Sequence, residues 1–289
     1  MQVSKLLLTQ TPLFSFEFFP PKTAAAESDF WSAVEDVAAL KPAFVSVTYG
    51  AAGSSREFSL SCLQRLRQKT NLEIVAHLAL ANHSKAKLLE LVGRISQLGI
   101  DNILALRGDA VETTYDGLRF AADFIHLIRQ HYPHICIGAA CYPEVHPEAE
   151  NAEADLLHLK RKVEAGADFL VSQLFFDNRV FLEFIQRVRA VGVKVPILPG
   201  ILPVMRLEQA QRIMKLCGAK PHLPLFQRLE ALKENPAEME ALGIAFATAQ
   251  CMELLSSGMP GIHFYTLNRS SATRSIVKGI GAARHLPLP

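Results

Sequence analysis

Phe14-Ser15-Phe16-Glu17-Phe18-Phe19-Pro20-Pro21-Lys22 is the stretch on which the fold turns. Its first residues alternate, so Phe14, Phe16 and Phe18 share one face of a strand while Ser15 and Glu17 share the other. The strand runs into Pro-Pro-Lys, not into the glycine-rich turn that usually follows the first strand of a doubly wound sheet. Outward from it, further β-rich runs occupy residues 44–49, 73–80, 102–107, 136–142, 169–175, 195–199 and 261–267. Helix-length segments separate most of them. Residues 28–40 have Ser28 or Asp29 to cap them, and residues 84–98 begin at Ser84.

Each crossover must return the chain to a parallel strand, so this succession predicts an α/β fold, a (β/α)8 TIM barrel, as a single domain over residues 1–289. Residues 215–259 are too long for one crossover and hold helical runs at 226–233 and 236–256. They predict an extra helical insertion before the eighth strand.

Composition narrows the function. Thirty Lys and Arg against twenty-eight Asp and Glu leave a formal charge of +2, which offers no broad basic face to nucleic acid and no polybasic membrane anchor. Cys62, Cys136, Cys141, Cys217 and Cys251 form no C-x-x-C pair and no zinc spacing with histidine; they read as buried small hydrophobes in a reducing compartment, and no metal is expected. The amino-terminal apolar stretch is too short for a signal peptide, and no apolar run approaches the roughly eighteen residues of a membrane span. A cytoplasmic protein is expected.

In α/β barrels chemistry gathers where the strands end. Glu17 should point into that mouth, where aromatic surroundings would disfavour its charged form and suit it to donate a proton; it reads equally as a glutamate paired structurally with a buried base. Thr48-Tyr49-Gly50-Ala51 reads first as a small-residue turn, and His77, alone on its inward face, as a core histidine. Arg107-Gly108-Asp109 ends the fourth strand with charge on both sides of a glycine. An ion pair would be the plain account, while the glycine suggests that something lies against the backbone. Arg161 and Lys162 suit phosphate or simply a solvated helix face. A barrel lyase acting on a sugar phosphate would want a Schiff-base lysine or metal ligands at the strand ends, and neither stands out.

Six blocks, taken together, resemble a known family: Phe16-Glu17-Phe18-Phe19-Pro20-Pro21-Lys22, Thr48-Tyr49-Gly50-Ala51, Leu106-Arg107-Gly108-Asp109, Tyr142-Pro143-Glu144-Val145-His146-Pro147, Leu159-Lys160-Arg161-Lys162 and His263-Phe264-Tyr265-Thr266-Leu267-Asn268-Arg269. In order, and across nearly the whole chain, they resemble the bacterial methylenetetrahydrofolate reductases. The resemblance implies a homo-oligomeric oxidoreductase holding FAD noncovalently. It would pass hydride by a ping-pong route from a reduced nicotinamide (NADH or NADPH) to 5,10-methylenetetrahydrofolate, making 5-methyltetrahydrofolate for methionine synthesis.

By position, the resemblance makes Glu17 the general acid and Asp109 the catalytic aspartate near flavin and pterin. It assigns Gln173, Gln209 and Arg269 to the folate and nicotinamide substrates. It gives the flavin Thr48, Tyr49, Ala51, His77, Arg107, Gly108 and Asp109 from the first half of the barrel. Phe120, Ala121, Tyr142, His146, Asp155, His158, Arg161 and Lys162 complete that set. Phe120 and His158 depart from a bacterial member with Tyr and Asn there, and Ile213 holds a position that is aromatic in it.

Overall fold

The computed structural model describes residues 1–9, 12–21, 23–49, 56–108 and 117–284. Strands β1 (Leu13–Phe18), β2 (Phe44–Val47), β3 (Ile74–Ala79), β4 (Asn102–Leu106), β5 (Cys136–Cys141) and β6 (Phe169–Ser172) pair in parallel, each with the next. The strand after them comes in two pieces, β7 (Ile197–Leu198) and β8 (Gly200–Ile201), and β9 (Gly261–Tyr265) lies back against β1.

The break is what closes the sheet. Pro199 has no N–H to give the ladder, and the chain changes partner there: β7 pairs with β6, β8 with β9. Pro199 still accepts from His263 N at 3.0 Å. Ser172 stitches the seam, its Oγ accepting from Gly200 N at 2.9 Å and its carbonyl from the Tyr265 hydroxyl at 2.6 Å. Gly200 is required here, since a β-carbon would lie 2.2 Å from the Ser172 carbonyl oxygen. The TIM-barrel expectation holds. The expected strand at 195–199 is corrected, because pairing resumes beyond Pro199 where the sequence reads as a turn.

The alternation in β1 works as expected. Phe16 and Phe18 are fully buried against the helix layer, whereas Ser15 and Glu17 face the interior and are also buried. The helix after β1, α2 (Ala24–Ala38), starts earlier than residue 28: the Thr23 side chain caps it by accepting from Ala26 N at 3.2 Å, so Ser28 and Asp29 are not its caps. Three alanines after Thr23 favour helix from the first turn. Helix α3 (Arg56–Lys69) precedes β3, and α4 (Lys85–Gln97) is capped by Ser84 as expected.

Helices α5 (Ala121–His131), α6 (Ala152–Glu164) and α7 (Asn178–Ala190) continue the ring. Helices α8 (Leu207–Cys217), α9 (Leu223–Ala231) and α10 (Pro236–Ser256) precede β9, and α11 (Ser270–Arg284) follows it. The long α10 packs on α7, β9 and α11, so it occupies the ring position of the seventh unit. The addition is therefore α8 with α9, which share a separate core of Leu207, Met214, Leu225 and Leu229 with the residues after β6 and β8. Helix α1 (Val3–Thr9) plugs the opposite end, Val3 N donating to Asn102 Oδ1 at 2.9 Å. No helix among the described residues is long and apolar enough to cross a membrane.

Candidate active site at the barrel mouth

The interior of the barrel changes character along the strands. Near their starts it is apolar: Leu13, Phe44, Val75, Leu104, Phe169 and Leu198 pack together with Val3 and Leu7 of α1. Two to four residues further along, the inward positions become Ser15 and Glu17 on β1, Ser46 and Thr48 on or just past β2, and His77 on β3, with His263 and Tyr265 on β9 beside them.

Glu17 is the centre of this layer. Its Oε2 lies 3.6 Å from His77 Nε2 and 3.8 Å from His263 Nε2, with all three side chains nearly buried. Sequence reading found Glu17 and His77 but not His263, although Gly261, His263 and Tyr265 share one face by simple alternation. Burial holds the His77 imidazole down to about 4 from an ordinary 6.5, against the charge of Glu17, which pulls upward; His263 adds a smaller downward push. His77 is thus neutral near pH 7. Burial likewise pushes the Tyr265 phenol well up, helped by the charge of Glu17.

The backbone around Glu17 is clamped from β9. Thr266 Oγ1 donates to the Glu17 carbonyl at 2.5 Å, and Asn268 brackets Phe19, accepting from its N–H and donating to its C=O, both at 2.8 Å. Leu267 and Asn268 adopt the left-handed region, with φ of 49° and 58°, a strained turn for a leucine.

Buried polar atoms around the layer lack partners. Ser46 Oγ, Thr48 Oγ1, His77 Nε2 and, away from the mouth, Asn178 Oδ1 have no hydrogen bond among the described residues. An unsatisfied buried polar group costs about 1–3 kcal/mol, so three of them around one carboxylate mark a place built to receive something polar.

A second cluster lies on the rim past β4 and β5. Tyr142 and His146 meet edge to face at 4.5 Å, and Asp155 of α6 accepts from His146 N at 3.0 Å. Val145, β-branched, is held at φ 76° to make this turn. Lys162 is half-buried and donates to the Ala140 carbonyl at 2.9 Å; burial holds its ammonium below the usual range, with Asp155 opposing that. Phe120, just before α5, meets His158 of α6 at 4.9 Å between ring centres, with Ala121 buried beside it. Arg161 is exposed on the same helix.

Other expectations resolve more plainly. Arg107 forms a bidentate pair with Glu148 at 2.6 and 2.7 Å, the plain account of a charged strand end. Gly108 has φ of 87°, and a β-carbon there would meet those of Ala81 and Ala79 at 2.8 and 3.1 Å. What lies against this glycine is the end of β3. Tyr49 shares a contact with His83 at 3.3 Å. Gln173 turns back on its own chain, Oε1 accepting from Leu174 N at 2.9 Å.

Gln209 and Arg269 are brought together in one cleft with Met205, Tyr265 and Leu267. Ile213 packs into the α8–α9 core. Ala51 and Asp109 lie outside the described residues. Another surface hollow lies elsewhere, between α2 and α3 beside Trp31 and Lys69; Lys69 sits over the indole, and nothing there matches the polar set of the mouth.

Comparison with known proteins adds to this geometry. The sequence profile of a family described as Methylenetetrahydrofolate reductase matches residues 2–281. A 5,10-methylenetetrahydrofolate reductase of Pectobacterium carotovorum is 37% identical over 267 residues, covering 92% of this chain and 89% of that one. The Escherichia coli protein of the same name is 36% identical, covering 92% and 90%. Among solved structures, an uncharacterized protein from Clostridium thermocellum, described as binding two copies of 5-methyl-5,6,7,8-tetrahydrofolic acid, shares the fold with a TM-score of 0.74. It is 14% identical, with 99% of this chain and 100% of that one covered.

Proposed function

Since the chain belongs to the methylenetetrahydrofolate reductase family, we propose that its barrel mouth reduces 5,10-methylenetetrahydrofolate to 5-methyltetrahydrofolate with FAD as resident cofactor and NADH or NADPH as electron donor. The observation that carries the reading is the buried carboxylate of Glu17, flanked by two imidazoles and by unpaired polar atoms.

The residues present fit a dinucleotide flavin. Thr48 and His77 offer buried polar atoms without partners among the described residues, and Lys162 is a half-buried cation whose charge burial penalises. Lys162, with Arg107 and Arg161 near it, would face the pyrophosphate, because an ammonium or guanidinium losing water is best compensated by an anion. Tyr49, Gly108, Tyr142, His146, Asp155 and the Phe120–Ala121–His158 edge would complete the cradle; Ala51 and Asp109 join it on the family resemblance. Bound there, the flavin would supply a two-electron carrier between nicotinamide and folate, in two separate half-reactions.

The chain's own task is to manage a proton. The bridging carbon of the folate accepts hydride only after one of its carbon–nitrogen bonds opens, the electron pair leaving with the nitrogen. Glu17 would give its proton to that nitrogen, a step worth about two to four powers of ten in rate. Asp109, ionised, would hydrogen-bond the pterin and stabilise the cation left on the carbon. Gln209 and Arg269, sharing a cleft with Tyr265, would hold the remainder of the folate, and Gln173 could reach it by giving up its local backbone bond. The folate described in the Clostridium thermocellum neighbour supports this choice of substrate class. The reading extends to one catalytic domain over residues 1–289, a cytoplasmic homo-oligomer whose product feeds methionine synthesis.

A visible spectrum followed by titration tests the proposal. The purified protein, supplied with FAD, should turn yellow, bleach with NADH or NADPH under nitrogen, and recolour on adding methylenetetrahydrofolate. Protein that bleaches but never recolours would not be this reductase.

A further inference from the structure

The rim past β4 and β5 is a cluster of charges, and the cofactor cradle uses its cations but leaves one carboxylate, Glu148, without a role. Burial chiefly holds the Lys162 ammonium below its usual range; Asp155 opposes that, and the nearby charge of Arg107 adds to it. Two anions answer these cations. Asp155 is tied down, accepting from His146 N at 3.0 Å. Glu148 is held differently. Its Oε2 accepts from Arg107 Nη1 at 2.6 Å and its Oε1 from Nη2 at 2.7 Å, so the end-on fork of the guanidinium is filled by an anion of the chain itself.

Exposure decides which partner can leave. The Glu148 side chain is 57% exposed against 27% for Arg107, and a carboxylate already half in water loses little by swinging wholly into it. The guanidinium follows directly on β4, and its planar fork fits a phosphate as well as a carboxylate. The loop need not move with the side chain, because Glu148 N donates to His146 Nδ1 at 3.0 Å and Ala149 N to the His146 carbonyl at 2.9 Å.

We propose that Glu148 is an internal counter-ion that competes with the flavin pyrophosphate for Arg107, so that FAD binds more weakly than the cations of the cradle alone would allow. In exchange, the carboxylate offsets the repulsion between Arg107 and Lys162 in cofactor-free protein. When the pyrophosphate takes the fork, Glu148 turns out to solvent, and Asp155 remains as the anion of α6 beside the two cations. The inference rests on FAD being the resident cofactor with its pyrophosphate at this rim.

Titration of cofactor-free protein with FAD, read by quenching of flavin fluorescence, tests it on the unaltered protein, Glu148→Gln, Arg107→Gln and the double variant. Glu148→Gln keeps the size of the side chain and drops its charge, so FAD should bind about tenfold more tightly, a coupling usual for neighbouring charges. On top of Arg107→Gln the same change should gain much less, because no guanidinium waits to be released. Thermal unfolding gives a second readout. Without FAD, Glu148→Gln should melt no higher than the unaltered protein, having lost an ion pair, whereas saturating FAD should raise its midpoint by more.

FAD binding that is unchanged or weaker in Glu148→Gln would overturn the proposal and make Glu148 a support that aims Arg107. An equal gain in both backgrounds would overturn it too, since release of Arg107 would then play no part. Should Arg107→Gln bind too weakly to titrate, the first comparison and the melting shift decide. A protein that binds no FAD in any of the four forms marks a different failure, that of the cofactor assignment itself.

Discussion

The two ends of the barrel interior are built on the same strands with the same alternation, yet they solve opposite problems. Near the strand starts, Phe44, Val75, Leu104 and Phe169 fill the space and α1 seals it. Toward the strand ends, Glu17, His77, His263 and Tyr265 occupy the equivalent inward positions, and several polar atoms of this layer have no partner among the described residues. Apolar packing gains roughly 25 cal/mol for each Å² removed from water, whereas the unpaired polar groups of the other end cost free energy. A barrel needing only to fold would continue the first solution upward. One end therefore carries stability, and the other gives some of it up for chemistry.

Substitutions at the two ends should divide accordingly. Glu17→Gln should slow the folate half-reaction by about two to four powers of ten while leaving reduction by nicotinamide near its normal rate, as read by anaerobic stopped-flow. Phe169→Ala at the sealed end should cost about 3–5 kcal/mol of stability in urea unfolding; the ring fills the space left by Gly138, where a β-carbon would lie 2.5 Å from it. Both half-reactions should survive in whatever remains folded. If Phe169→Ala instead abolished only turnover, the division between the ends would be wrong.

His77 joins the two ends through pH. Its pKa is about 4 when folded against 6.5 for the free side chain, so between those values the unfolded chain binds the extra proton. Its contribution is complete above the unfolded value and is lost as pH falls through that window, on the order of 3 kcal/mol in all. His77→Gln should flatten the stability curve over that range, measured by denaturant midpoints at successive pH values. The smallest expected change is in the clamp. Asn268→Ala removes two bonds to Phe19 and should cost about 1–2 kcal/mol, lowering the thermal midpoint a few degrees and slowing folate reduction more than flavin reduction.

Much of this was legible before any coordinates. The alternation in residues 14–18 placed Glu17 in the interior, because a strand with phenylalanine on one face has only one way to bury it. His263 was not found: alternation groups it with Gly261 and Tyr265, but which face turns inward is decided by pairing with β1, whose Ser15 is 248 residues away. The seventh strand was cut short at Pro199 because a proline reads as a stop, while here it only switches the ladder from one neighbour to the other. Thr23 lost to Ser28 as the expected cap because both offer a hydroxyl, and only the backbone decides which is used. Gly108 was singled out as a glycine the backbone needs, and the left-handed φ of 87° and the close approach of Ala79 and Ala81 account for that need whether or not a ligand also lies there.

A crystal structure of the protein with FAD and 5-methyltetrahydrofolate bound tests the central claim most directly. The account predicts the pterin within hydrogen-bonding reach of Glu17, with Thr48 and His77 newly partnered and the layer of Phe44 and Phe169 unmoved. Folate seated in the hollow beside Trp31 and Lys69, with Glu17 still touching only His77 and His263, would contradict it.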